Sequence, residues 1–266
     1  MNSFQECWDR VDRADLHAKT LVGACEALLS DKSYEVRPEL RDERYGILVI
    51  HPNVPIDRNL SFELGEYFYQ LRATLDSAMW IAYETWGLSD PTTDLKKLYF
   101  PVISGGGTLN KQAFNGVNLP KELNAWIRSI QPCLAPQRAK DSDASMLSET
   151  IATINQCAAH DRHRKLQIVG AFITQSSAIV EVTPPATIAY QRSVTTGDYF
   201  KGKFEVVEFT IDGWTSETQV RGQGQFVVEV SVKEIPKSLG DFLGVQLRTI
   251  SNNVRVILQE FERYIN

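Results

Sequence analysis

Features that identify several large classes of protein are scarce or missing in this chain. No apolar run approaches the roughly 18 residues that a membrane-spanning helix needs, so we expect no membrane partner. Four cysteines are widely spaced with no Cys-x-x-Cys pair, which indicates reduced thiols in a cytoplasmic protein rather than a disulfide framework. The polar, acidic residues 1–17 are unlike a secretory signal, which favours the same location.

Motifs that would identify an enzyme or a cofactor site are also missing. The chain has no Gly-x-Ser-x-Gly turn of the serine hydrolases and no glycine fingerprint of a dinucleotide-binding fold. The triple glycine at 105–107 is followed by neither a Lys-Ser/Thr pair nor an immediate helix, so it predicts a loop rather than a phosphate site. We expect no cofactor, and the sequence leaves open whether the protein is an enzyme.

The composition is that of an ordinary soluble globular protein. Apolar residues make up 43% of the chain and charged residues 23%, and 266 residues are enough to build one large core. The formal net charge of −5 argues against a broad nucleic-acid-binding surface.

Helical periodicity dominates the first 164 residues. Apolar residues recur at three- and four-residue steps over 3–30 and over 61–86, and the second helix is expected to end at Gly87. Between these helices, residues 33–52 predict a β-hairpin. Two further helices follow, the second over about 145–160.

From Lys165 onward the apolar pattern changes to a period of two. Five short runs separated by turn residues predict an antiparallel meander over 165–234. Over 236–265, apolar residues alternate at four- and three-residue spacing, which predicts a long closing helix. Such a seam is typical of an internal packing face, and the alternative is a homodimer through this C-terminal helix.

Together these patterns predict one α+β domain over residues 1–266. An N-terminal helical part over 1–164 comes first, the antiparallel meander follows, and the long C-terminal helix packs back.

Two charged side chains on the helix over 61–86 do not follow its polar face. On a helical wheel Arg72 and Asp76 lie on a line with Gly65 and Tyr83. This apolar and aromatic arc is flanked by Met79 on one side and by Phe62, Tyr69 and Trp80 on the other, and Ser77 belongs to the opposite, solvated face. Charges among apolar neighbours need partners, because burying an unpaired charge is costly. The pair is therefore either a structural ion pair or one wall of a polar pocket, and the sequence leaves both open.

A second charged cluster ends the helix over 145–160. Arg162, His163 and Arg164 suit the negative end of a helix dipole, whereas Asp161 is unfavourable there without a basic partner. We expect Arg72 to be that partner, and His163 or Arg164 to contact Asp76. The candidate polar site thus combines both clusters.

Four short motifs in this order resemble those of a family of bacterial proteins of uncharacterised function. They are "LRATLD", "FP", "QP" and "DRHR", and the resemblance covers about residues 45–170. The matching positions are Arg72, Leu75, Asp76, Phe100, Pro101, Gln131, Pro132, Asp161, His163 and Arg164. This chain has Ser77 where a histidine is frequent and Arg162 in place of the usual lysine. The resemblance implies that Arg72, Asp76, Asp161, His163 and Arg164 form one constellation.

Two enzyme classes are alternatives. Cys157, His160 and His163 are good zinc ligand types, although on a regular helix Cys157 and His163 would point apart, so they are weak candidates and we expect no metal. A metal-independent nuclease of the HEPN class pairs an arginine with a histidine a few residues later. Arg10 with His17 and Arg44 with His51 match that spacing about as often as chance allows. Another, unrecognised hydrolase is equally open.

The sequence favours a soluble binding or scaffolding protein over these enzymes. Its charged constellation would either organise the fold or hold a small anionic ligand between Arg72, Arg162 and Arg164. The sequence specifies neither that ligand nor any reaction.

Overall fold

The structure, a computed structural model, shows an α+β protein whose chain forms two compact units. It describes residues 4–28, 34–52, 59–87, 98–104, 118–137, 142–163, 168–183, 185–198, 203–232 and 234–265, with backbone only for 160–163, 168–177, 195–198, 203 and 225–231. The helical unit comprises residues 1–21, 61–167 and 234–266, and the sheet unit comprises residues 22–60 and 168–233. That the whole chain is one domain stays a prediction.

The predicted helices are present in the described ranges. They are α1 (Gln5–Leu28), α2 (Asn59–Trp86), α3 (Lys121–Ser129), α4 (Asp143–His163) and α5 (Leu243–Ile265). As expected, α2 ends at Gly87, whose φ of 76° is the left-handed conformation that glycine adopts without strain. The Gly87 N–H donates to the Tyr83 carbonyl at 2.7 Å, which closes the last turn.

The C-terminal helix packs back inside the helical unit, as the sequence predicts. The apolar seam of α5 is buried: Leu243, Leu247, Ile250, Val254, Ile257 and Phe261. The Tyr67 hydroxyl of α2 donates to the Leu247 carbonyl at 2.6 Å, and the rings of Phe100 and Phe261 lie 6.2 Å apart. The heptad pattern therefore serves as an internal packing face.

The sheet unit contains two antiparallel sheets. Its strands are β1 (Tyr34–Leu40), β2 (Tyr45–Pro52), β3 (Ile168–Val182), β4 (Thr187–Asp198), β5 (Lys203–Asp212) and β6 (Val220–Val232). The strand order is β1-β2-β5-β4 in one sheet and β3-β6 in the other. The antiparallel pairing and the β1–β2 hairpin agree with the sequence prediction.

The strand neighbours differ from those of a simple meander. Only β4 and β5 pair with each other in chain order after residue 165, whereas β3 pairs with β6 and the early hairpin joins the sheet through β2 and β5. The first two strands that the sequence predicts after residue 165 form a single strand in the structure. This strand, β3, continues through residues 175–177 with an irregularity in register between Ile173 and Gln175. An alternating pattern sets which face of a strand is buried, but it does not select the neighbouring strand.

The core of the sheet unit is apolar. Its buried members are Tyr34, Leu48, Ile50, Val180, Ala186, Phe204, Val206, Val207, Phe209 and Ile211. Gly222 of β6 approaches this core so closely that an added Cβ atom would lie 1.9 Å from Cδ1 of Leu48. A glycine is needed where a backbone comes this near to a packed side chain.

In the part of the chain that the structure describes, every helix falls short of the length and apolar character needed to cross a membrane.

Candidate functional site

Arg72 and Asp76 of α2 together bind the backbone of one residue, Phe100. Nη2 of Arg72 donates to the Phe100 carbonyl oxygen at 2.9 Å, and Oδ1 of Asp76 accepts from the Phe100 N–H at 2.8 Å. The same two atoms form an ion pair 2.9 Å long. The two side chains therefore hold one residue by both its donor and its acceptor.

Their spacing explains this geometry. Residues four apart lie one above the other on a helix, so an arginine and an aspartate at these positions project side by side. The Phe100 ring is fully buried and packs against Phe261 of α5. The clamp, as we call Arg72, Asp76 and the Phe100 backbone, thus fixes an apolar anchor of the helical core.

A second contact holds the same segment, residues 98–104. Oε1 of the fully buried Gln131 accepts from the Ile103 N–H at 3.0 Å, while its Nε2 donates to the Ile127 carbonyl at 3.0 Å. The Cys133 N–H donates to the Ile103 carbonyl at 2.8 Å. Sequence reasoning placed Gln131 only in a family motif, because nothing local shows that its partner lies 28 residues earlier.

A pocket of about 350 Å³ lies beside the clamp within the helical unit. It is lined by Tyr69, Arg72, Ala73, Asp76, Ser77, Trp80 and Leu98. Among the described lining residues, all but Leu98 come from α2. Tyr69, Arg72, Asp76 and Trp80 of the arc that the wheel singles out belong to this wall, whereas Phe62 does not, and Ser77 of the expected solvated face does. The geometry agrees with both sequence interpretations, because Arg72 and Asp76 form an ion pair and also line the pocket.

Arg72 is the most deeply buried charged group in this wall. The residue is 8% exposed, and its Nη1 atom is buried without a hydrogen-bond acceptor among the residues that the structure describes. The Tyr99 ring centroid lies 6.0 Å from its Cζ, at the outer limit of a cation–π contact. A buried guanidinium N–H without an acceptor is costly, since its hydration is lost and not replaced.

Formal charges balance among the described residues of the pocket lining. Arg72 is the cation and Asp76 the carboxylate, while the other described lining residues are neutral. This part of the lining consequently offers one positive group, partly neutralised by its neighbour, rather than a cluster of cations.

The DRHR cluster lies where the sequence predicts, at the C-terminal end of α4. The backbone is helical through Asp161, Arg162 and His163, but their side chains and all of Arg164 lie outside the described residues. The expected contacts from Arg72 to Asp161, and from Asp76 to His163 or Arg164, remain predictions.

Of the three weak zinc candidates, the structure describes the side chain of Cys157 alone. Cys157 is a free, fully buried cysteine of α4, and burial, helped by Glu234, raises the pKa of its thiol. A raised pKa opposes the thiolate form that binds zinc. The side chains of His160 and His163 lie outside the description, and the described residues hold no cluster of three metal-binding side chains.

The nuclease-like pairs fall in different surroundings. His17 of α1 contacts Glu63 of α2, with Nδ1 and Oε2 2.8 Å apart. Arg44 lies in the turn before β2 and His51 lies near the end of that strand. Seven residues along a strand span about 23 Å, so Arg44 and His51 cannot act on one bond.

No protein-family model, curated protein or solved structure matches this chain. The resemblance to the bacterial family thus rests on the four motifs alone.

Proposed function

We propose that this protein binds a small anionic ligand in the pocket along α2, with Arg72 as the principal anion-binding group. The observation that carries the proposal is the buried Arg72 guanidinium in the pocket wall, whose Nη1 has no acceptor among the described residues. A carboxylate beside it would supply that acceptor in a charge-assisted hydrogen bond.

The clamp supports this role by fixing the guanidinium. Nη2 is held by the Phe100 carbonyl and by Asp76, so the side chain loses little further freedom when an anion binds. Residues from three of the four motifs, Arg72 with Asp76, Phe100 and Gln131, meet on segment 98–104. We propose that these motifs maintain a scaffold for the pocket.

The remaining expectations belong to the same proposal. Arg162 and Arg164 would add positive charge if the DRHR cluster faces the pocket, and we expect the protein in the cytoplasm. A homodimer through α5 would need its outer surface, where Val245 and Val256 are exposed, because the seam is occupied inside the chain.

Titration with a small anion that has no ring tests the proposal. We expect sodium acetate to shift the ¹H–¹⁵N resonances of α2 residues 69–80 with a single saturating Kd in the millimolar range, against a chloride background of equal ionic strength. Ser77→Asp, which adds a negative charge to the lining without touching the clamp, should weaken acetate binding about tenfold.

Ser77→Asn is the matched control, since it has nearly the same shape without the charge. It should bind acetate within about twofold of the parent, which corresponds to a difference of about 0.4 kcal/mol in binding free energy. Equal acetate binding by Ser77→Asp and the parent, or shifts spread evenly over the surface, would exclude an anion site here.

A further inference from the structure

Aromatic side chains stand at both ends of the pocket, on one stripe of α2. Tyr69 and Trp80 are eleven residues apart, which is three turns or about 16 Å along the helix. Ala73 and Ser77 lie between them and leave a floor of small side chains. The pocket stripe, as we call Tyr69, Ala73, Ser77 and Trp80, is thus a shallow trough with an aromatic ring at each end.

The rings are held in ways that leave them available to a ligand. Nε1 of Trp80 donates to Oε1 of Glu84 at 3.0 Å, and its ring packs edge-on against Tyr83 at 5.3 Å. Trp80 is therefore fixed in orientation and its polar atom is satisfied by its own helix. Tyr69 is 49% exposed, whereas Tyr67 of the same helix is fully buried. Such an exposed, large aromatic side chain is available to a ligand.

Charge and size restrict the ligand further. Oδ1 of Asp76 lies 2.9 Å from Nη2 of Arg72, so among the described lining residues the carboxylate offsets the single cation, and this lining favours a monoanion over a dianion such as a phosphate monoester. A volume of about 350 Å³ lies at the small end of the range for ligand pockets, which accommodates one or two fused rings.

We infer that the ligand of this pocket is a small aromatic monocarboxylate. Its carboxylate binds Arg72, and its ring lies over Ala73 and Ser77 against Trp80 and Tyr69. This inference rests on the proposed function, and it specifies a ring in addition to the anion.

A series of probes separates the ring from the charge. Acetate carries the charge alone, cyclohexanecarboxylate adds an aliphatic ring, benzoate and 2-naphthoate add aromatic rings, and 2-naphthamide keeps the ring without the charge. With the full chain, calorimetry and ¹H–¹⁵N titrations should give 2-naphthoate at least about tenfold tighter binding than cyclohexanecarboxylate or acetate. The neutral 2-naphthamide should bind at least about tenfold more weakly than 2-naphthoate.

Two substitutions assign the ring to the pocket stripe. Trp80→Leu should remove the advantage of 2-naphthoate over cyclohexanecarboxylate. Trp86→Leu is the matched control, because Trp86 lies on the same helix outside the pocket lining, and it should keep that advantage. Thermal unfolding checks that both variants are folded.

The outcomes distinguish the two proposals. If acetate binds with the expected sensitivity to Ser77→Asp but 2-naphthoate binds no tighter than cyclohexanecarboxylate, the proposed function stands and the aromatic inference is wrong. If 2-naphthamide binds as tightly as 2-naphthoate, or if no probe binds, the anion site itself is wrong and the inference falls with it. An advantage of 2-naphthoate that survives Trp80→Leu places the ring elsewhere and also overturns the inference.

Discussion

The helical and sheet units differ in what they bury. Among side chains that the structure describes, all the buried polar ones lie in the helical unit: Gln70, Arg72, Thr74, Gln131, Ser148, Thr150, Thr153, Gln246 and Ser251. The sheet unit has an apolar core, and the ion pairs of Arg37 with Glu35 and Arg192 with Glu208 lie on its surface.

Buried polar groups constrain a structure more than apolar ones, because each needs a partner in a specific direction. In the helical unit this requirement fixes segment 98–104 and leaves Arg72 beside a pocket. The sheet unit requires only matched volumes. The comparison is the reason that we place the proposed ligand site in the helical unit, whereas the sheet unit depends on apolar packing.

Phe209→Ala should show the largest loss of stability, because the sheet unit depends on apolar volume. The Phe209 ring is fully buried and covers Gly46, where an added Cβ would lie 2.4 Å from the ring. We expect the free energy of unfolding to fall by about 3–5 kcal/mol, measured by urea denaturation. Phe209→Leu, which retains much of the volume, should lose clearly less, and equal losses for the two variants would contradict a volume-dependent core.

Arg72→Met should have the next largest effect, since it keeps the apolar stem but breaks the clamp. Removing the guanidinium leaves the Phe100 carbonyl without its donor, and we expect unfolding to become easier by about 2–3 kcal/mol. Arg37→Met is the surface control in the sheet unit, and its unfolding midpoint should not change. A stable Arg72→Met protein that no longer binds acetate would show that Arg72 serves binding alone.

Alkaline pH should also lower the free energy of unfolding, and the loss should involve one buried thiol in each unit. Burial raises the pKa of Cys7 in the helical unit and of Cys25 in the sheet unit to about 11, from an ordinary value of 9.0. Between these values the unfolded thiols lose protons that the folded ones retain. The contribution of these two thiols to stability is therefore fully present below pH 9, is lost as the pH rises, and is gone above about pH 11.

The Cys7→Ala, Cys25→Ala double variant tests this thiol contribution. Its loss of unfolding free energy between pH 8 and 11 should be smaller than that of the parent, as followed by urea denaturation at each pH. Parallel losses in the two proteins would assign the alkaline effect to other groups.

Much of the fold can be read from local patterns. The helices, the hairpin and the internal use of the α5 seam agree with the sequence analysis, and so does the placement of Arg72 and Asp76 on an aromatic arc. The prediction fails where partners are distant. The β3–β6 pairing joins residues as far apart as Ile168 and Val232. The alternating apolar pattern of either strand does not identify the other strand as its partner.

In the candidate site, too, the sequence reveals the local contact and not the distant ones. The i, i+4 spacing reveals the ion pair, but the acceptor and donor that complete the clamp belong to Phe100, and the Gln131 contact belongs to Ile103. Every non-proline residue has the same backbone N–H and C=O groups, so the sequence does not indicate which of them a side chain will bind. Only folding shows that α2 and Gln131, which follows α3, hold the same short segment.

The sequence by itself determined the helices, the strands and the unusual position of Arg72 and Asp76 on α2, because residues within about four positions of one another define the faces of helices and strands. The tertiary structure alone decided the strand order, the clamp on Phe100 and the pocket beside Arg72. The clamp joins residues 24 positions apart, Asp76 and Phe100, and the strand order joins residues up to 165 positions apart, Tyr45 and Thr210. Their formation depends on loop closure and core packing, which local patterns do not encode.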